Sequence, residues 1–93
     1  MIRRQLDLFE REHGDLLRRS AEAKRAYDAA DRDEAEERFG DYMDLVDEAT
    51  EELADLRDHY AAALEEPAAE EYAGAFNRAV LKRFRQLALG IEE

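Results

Sequence analysis

Apolar positions recur along the first third of the chain at alternating steps of four and three residues. This heptad-like spacing places one apolar face along a long helix. The positions are Ile2, Leu6, Phe9, His13, Leu16, Ser20, Ala23, Tyr27 and Ala30. The pattern predicts one continuous helix over residues 2–30, which would be about 42 Å long at the helical rise per residue.

The same spacing returns in the middle of the chain and predicts a second helix over residues 33–65. Gly40 is a weak point in that helix, because an interior glycine costs about 1 kcal/mol relative to alanine. A third and shorter helix is predicted over residues 67–90. Pro67 suits the first position of a helix, and Gly90 suits its end.

Both predicted linkers are short, so consecutive helices are expected to be antiparallel neighbours. The fold class predicted from the pattern is all-α, in one domain spanning residues 1–93. Its architecture would be a three-helix up-down-up bundle with a long hairpin formed by the first two helices. Because those two helices are longer than the third, part of their apolar seam would be left uncovered, and we expect a homodimer to cover it.

The composition restricts the classes of partner and site. The chain has 25 acidic residues against 14 Lys and Arg, a net charge of −11 and no cysteine. The negative charge argues against a nucleic-acid partner, and the lack of cysteine excludes thiolate metal sites and disulfides. No uncharged run is long enough to span a membrane, and no signal peptide opens the sequence, so a cytoplasmic protein without membrane association is expected.

The charge is distributed unevenly along the chain. Residues 31–66 contain 15 acidic and three basic residues, so they carry the whole imbalance. On the outer face of the second helix, acids follow one another at steps of three and four residues, and we call this series the acidic column. Its members are Asp41, Asp44, Glu48, Glu51, Asp55 and Asp58. Arginines recur every seven residues on the outer face of the first helix, and we call them the arginine column: Arg4, Arg11, Arg18 and Arg25.

The two columns have two interpretations. They can be solvated faces of a soluble protein, whose charges salt screens beyond about 8–10 Å. They can also be complementary surfaces that set oligomer register or select a partner, as flanking charges do in coiled coils. Like charges at these spacings repel by a few tenths of a kcal/mol per pair. A second copy, a basic surface of another protein or cations could offset that repulsion.

One spacing suggests a transition-metal site. Glu10 and His13 are three residues apart and would share a helix face, as carboxylate and histidine ligands do in di-iron four-helix proteins. These ligands suit iron, manganese or zinc, and a second copy could complete the set in a ferritin-like half-bundle. The competing interpretation is a polar layer in the apolar seam, which fixes register through hydrogen bonds among His13, Ser20, Thr50 or a buried water.

The remaining candidates identify no reaction. His59 follows Asp55 by four residues, which indicates either a surface pair or a second ligand or acid–base site. The sequence has no glycine-rich phosphate loop. We therefore predict a small helical protein that functions by associating with itself or with another protein. This class of protein is favoured over an enzyme. A metal-binding half-bundle is the alternative, and a small-ligand enzyme with a pocket between the helices is a third possibility.

Overall fold

A computed structural model of the chain describes residues 1–87. Within that range the chain forms helices and no strands, which confirms the all-α prediction. There are four α-helices rather than three, because the predicted first helix is divided into two. The elements are α1 (Ile2–Glu12), α2 (Gly14–Ala29), α3 (Ala35–Ala61), α4 (Ala68–Arg83) and a final 3-10 turn (Arg85–Leu87).

The division between α1 and α2 lies at His13. Its backbone has φ −120° and ψ 29°, whereas an α-helix requires ψ near about −42°. The next residue, Gly14, is a poor helix former, so propensity is lowest where the helix is interrupted. Helical hydrogen bonds flank the break, from His13 N–H to the Phe9 carbonyl at 2.8 Å and from Leu17 N–H to the His13 carbonyl at 3.0 Å. The prediction of one helix over 2–30 was wrong. The repeat of apolar positions continues across His13 and so does not reveal that its backbone leaves the helical conformation.

Helices α2 and α3 form an antiparallel hairpin. Tyr27 and Phe39 flank the turn, with their ring centroids 5.3 Å apart. At the far end of the hairpin, His13 lies 3.8 Å from Glu52. Helix α3 begins and ends inside the predicted bounds of 33–65, and it continues through Gly40 without interruption. The glycine predicted as a weak point is therefore tolerated in this helix.

Helix α4 is shorter than the predicted helix over 67–90. It ends at Arg83, and Phe84 leaves the helical conformation with φ −121° and ψ 71°. Phe84 and Leu87 are nevertheless buried, because the 3-10 turn folds them onto the core. The Phe84 ring packs edge-on against Phe9 at 5.8 Å, which joins the end of α4 to α1. The predicted stop at Gly90 lies outside the described residues.

The hydrophobic core occupies one end of an elongated molecule. Between residues 21 and 41 no residue is buried, and we call this segment the hairpin tip. The opposite end, where α1, α4 and the 3-10 turn pack on the hairpin, is called the base. The radius of gyration is 14.7 Å, against about 12 Å for a compact chain of this length. The core residues of the base are Leu6, Phe9, Leu16, Tyr42, Val46, Ala49, Leu53, Tyr72, Phe76, Val80, Phe84 and Leu87.

No helix between residues 1 and 87 combines the length and the apolar character that crossing a membrane requires.

Candidate protein-interaction surfaces

The acidic column lies on the outer face of α3, and all six of its side chains are exposed. Asp58 is the one member with an ion-pair partner among residues 1–87, and its partner is the adjacent Arg57 at 2.8 Å. The other five, which include the predicted interaction residues Asp44, Glu48, Glu51 and Asp55, make no ion pair within the described chain. Five of the six column residues therefore expose carboxylates that have no ion-pair partner among residues 1–87.

The two arginines of α3 do not neutralise the column. Arg38 lies 3.8 Å from Glu34, one turn before it and outside the column. Arg57 has a side chain only 16% exposed, and it donates a hydrogen bond to Asn77 of α4 at 2.9 Å. Its guanidinium is therefore shared between Asp58, the last residue of the column, and Asn77 of α4. Because α3 carries ten acidic side chains and two arginines, most of its charge remains for solvent or a partner.

The arginine column is also exposed, but the break at His13 divides it. Arg4 and Arg11 lie on α1, whereas Arg18 and Arg25 lie on α2. Arg18 is bonded to Asp15 of its own helix. The other three make no ion pair within residues 1–87, so they leave positive charge on the surface. The predicted column therefore exists as two short basic segments rather than as one straight line.

The structure gives Glu10 and His13 different partners. Glu10 accepts a hydrogen bond from Arg83 at 2.5 Å, so an arginine neutralises its carboxylate. His13 is half-buried, and its Nε2 lies 3.8 Å from Glu52 of α3. Glu51, whose phase on the helix points outward, is exposed on the outer face of α3. Among residues 1–87, no group of three or more His, Asp or Glu side chains is arranged to hold a metal ion.

Arg83 is a residue that sequence reasoning missed, and it joins α4 to α1. Its guanidinium donates to Asp7 at 2.6 Å and to Glu10. The hydrogen bond from Arg83 lowers the pKa of Asp7. The same hydrogen bond to Asp7 raises the pKa of Arg83. No spacing in the sequence identifies this pairing, because its members are more than 70 residues apart.

The polar seam residues are satisfied within their own helices. Ser20 is buried and donates to the Leu17 carbonyl at 2.9 Å, and Thr50 donates to the Val46 carbonyl at 2.9 Å. A hydroxyl one turn away from a backbone carbonyl bonds to it readily. These two hydroxyls therefore do not form the predicted bonds to each other or to His13. No buried side-chain N or O atom lacks a hydrogen-bond partner in the described part of the chain.

A solvent-open groove of about 270 Å³ lies between α1 and α3, and we call it the histidine groove. Its apolar walls are Leu8, Phe9 and Leu56. Its polar lining consists of three carboxylates and both histidines of the chain, namely Glu12, Glu52, Asp55, His13 and His59.

The groove brings the predicted Asp55–His59 pair together with His13. Antiparallel pairing of the predicted helices would also bring Asp7 and Gly74 near His59. Asp7 is bonded to Arg83, and the closest atom to a Cβ built on Gly74 belongs to Arg78 of its own helix, at 3.4 Å.

The chain matches no protein-family model, no curated protein and no solved structure.

Proposed function

We propose that the protein is an association module whose contact surface is the acidic column of α3. The observation that carries the proposal is the lack of internal ion-pair partners for five of the six column residues within residues 1–87. Repulsion among these carboxylates is reduced when a basic surface approaches. A second copy offers such a surface in Arg4, Arg11 and Arg25, and another protein with a basic face is the alternative partner.

The same charge disfavours a nucleic-acid partner, because the phosphate backbone would be repelled by a chain of net charge −11. Homodimer formation and a cytoplasmic location remain predictions from the sequence. Complementary charges mainly raise the association rate and the specificity of a contact. We therefore expect the assembly to weaken as salt rises, since the column is exposed.

Reversal of the arginine column tests this proposal in its self-association form. The variant Arg11→Glu/Arg25→Glu removes two arginines that have no ion-pair partner among the described residues, so the fold is expected to be unchanged. Sedimentation velocity over a concentration series at about 50 mM salt should show a self-association constant weakened by roughly tenfold or more.

The matched control is Lys24→Glu/Arg32→Glu, which makes the same change in net charge away from the column. Lys24 is engaged with Asp28 of its own helix, and Arg32 lies in the turn between α2 and α3. Equal weakening by both variants would mean that net charge, and not the column, controls assembly. Unchanged assembly in Arg11→Glu/Arg25→Glu would remove the arginine column from the proposal.

The metal alternative remains a prediction that rests on the Glu10–His13 spacing. It requires iron, manganese or zinc bound across a dimer, and it requires Glu10 to exchange its bond with Arg83 for a metal ion. Elemental analysis of tag-free protein, before and after His13→Ala, tests it directly. Stoichiometric metal that disappears in the variant would favour this alternative over the association module.

A further inference from the structure

The outer face of α4 carries a basic and partly apolar surface that the proposed function does not use. Leu81 is 41% exposed and lies beside basic side chains. Arg78 and Lys82 are four residues apart on α4, which brings both side chains to one face, and Arg85 of the following 3-10 turn lines the same depression. We call this surface the α4 stripe, and it consists of Arg78, Leu81, Lys82 and Arg85, which line one shallow depression.

The histidine groove has the opposite character. Leu8 at its edge is 46% exposed, and Phe9 and Leu56 extend the apolar wall. Carboxylates from two helices, Glu12 and Glu52, face the same space. No Lys or Arg of residues 1–87 lines the groove, so it combines an apolar floor with an acidic rim.

Charged faces alone provide little affinity, since exposed ion pairs contribute only about 0–1 kcal/mol each. Stable contacts usually bury apolar anchors inside a polar rim. In this chain, the exposed Leu81 within a basic rim matches the exposed Leu8 within an acidic rim. An amphipathic helix in an apolar groove is a common mode of recognition. The complementarity identifies a second copy of the chain as the occupant.

We propose that the α4 stripe of one copy docks into the histidine groove of another copy. The inference rests on the proposed function, because it supplies the apolar anchor for the same self-association. The stripe and the groove are different surfaces, and each copy has one of each to offer. Two copies related by a twofold axis would form the contact twice, and copies related in another way would form closed rings or open chains.

Two charge-reversed variants test the docking mode. The stripe variant is Arg78→Glu/Lys82→Glu, and the groove variant is Glu12→Lys/Glu52→Lys. Neither changes a residue of the acidic or arginine column. Each variant alone should associate at least roughly tenfold more weakly than the unaltered chain, whereas an equimolar mixture should recover association. Both variants keep a net negative charge, so unspecific attraction would not explain recovery.

Matched controls change the same charge elsewhere. Lys24→Glu/Arg32→Glu is the control for the stripe variant, and Asp31→Lys/Asp33→Lys in the α2–α3 turn is the control for the groove variant. The uncharged pair Leu8→Ala and Leu81→Ala tests the anchors separately. Each should weaken association without changing the helical circular dichroism, because both side chains are exposed.

Sedimentation velocity of the single variants and of their mixture distinguishes the outcomes. Weak association of each variant with recovery in the mixture supports the docking mode. If the unaltered chain associates and the stripe and groove variants associate equally well, the docking mode is overturned while the proposed function stands. A chain that is monomeric at every concentration and salt tested contradicts both the docking mode and the self-association form of the proposed function.

Discussion

Different kinds of polar contact stabilise the base of the molecule and its hairpin tip. At the base, side chains far apart in sequence meet: Arg83 bonds Asp7, and Tyr72 donates to Gln5 at 2.8 Å. At the tip, the ion pairs join residues of the same helical turn, as in Lys24 with Asp28 at 2.9 Å. The same division holds for the apolar residues, since buried side chains are confined to residues outside 21–41.

This difference predicts unequal local stability. Long-range contacts at the base form only when the whole fold forms, so their loss affects the global free energy of unfolding. The tip has few apolar contacts and can open without disturbing the base. Backbone amides of the hairpin tip should therefore exchange faster than those of α4 and of the part of α3 that packs against α4.

The largest difference between the two regions is expected from equivalent phenylalanine truncations. Phe76 is completely buried at the base, and Phe76→Ala should lower the free energy of unfolding by about 3–5 kcal/mol, because it leaves a cavity. Phe39 at the tip is 40% exposed, and Phe39→Ala should cost only about 1 kcal/mol. Urea unfolding followed by circular dichroism measures both. Similar losses would mean that the tip belongs to the cooperative core.

A smaller effect is expected from replacing Gly40, at the tip, with alanine. A Cβ added at Gly40 meets no atom within 4 Å, so Gly40→Ala should stabilise α3 by roughly 0.5–1 kcal/mol. Gly14 is equally open, but it is the first residue of α2. Gly14→Ala should therefore stabilise less, since helix propensity applies fully only in a helix interior. A destabilised Gly40→Ala variant would contradict the open environment described for this position.

The attachment of α1 should respond locally to loss of Arg83. Arg83→Gln leaves Asp7 and Glu10 without their cationic partner, so α1 should open more often from the base. Hydrogen exchange should accelerate in α1 and at the end of α4, with little change at the tip. The matched control is Lys24→Gln, which should accelerate exchange only within its own part of α2. A uniform acceleration by both variants would indicate that neither ion pair acts locally.

The pH dependence follows from the same contact and should be the smallest effect. Arg83 lowers the pKa of Asp7 in the folded state. The bond between them therefore contributes stability above the pKa of an aspartate in the unfolded chain, about 3.9. That contribution is lost as pH falls through the lower folded value. Asp7→Asn should therefore reduce the steepness with which stability falls below about pH 4. An unchanged slope would show that Asp7 does not contribute to the acid response.

Burial of tyrosines gives a second pH test of opposite sign. Burial raises the pKa of Tyr72, and its neutral hydroxyl donates a hydrogen bond to Gln5. Its neutral form is favoured in the folded state, so this contribution is present below the unfolded pKa of about 10. It should be lost as pH rises above that value. Tyr72→Phe should reduce the alkaline loss of stability, measured as the slope of unfolding free energy between neutral and alkaline pH.

The periodicity of apolar residues predicts which side chains face inward. The prediction holds at the base, where α1 and α4 pack on the hairpin. Leu6, Phe9 and Leu16 lie in the predicted seam and are buried. Phe39 fits the same pattern but remains partly exposed, because no buried core surrounds the tip. A pattern of apolar positions reports the face of a helix and not what covers that face.

The parts of the candidate site that sequence missed depend on chain geometry rather than on residue type. One ψ angle at His13 divides the predicted first helix into α1 and α2, and a repeat of apolar residues does not record that angle. Arg83 resembles the exposed bases beside it in sequence, yet it is the one that bonds to α1. The six side chains of the acidic column are exposed on α3, and charge at three- and four-residue steps is a local property that the sequence displays.

Sedimentation velocity of the unaltered chain at low and high salt tests the central claim, association through the acidic column, most directly. The measurement needs tag-free protein over a wide concentration range, at about 50 mM and about 500 mM sodium chloride. If the column drives self-association, the protein should assemble with rising concentration at low salt and dissociate at high salt. A monomer at every concentration in both conditions would contradict self-association and direct the search to a basic protein partner.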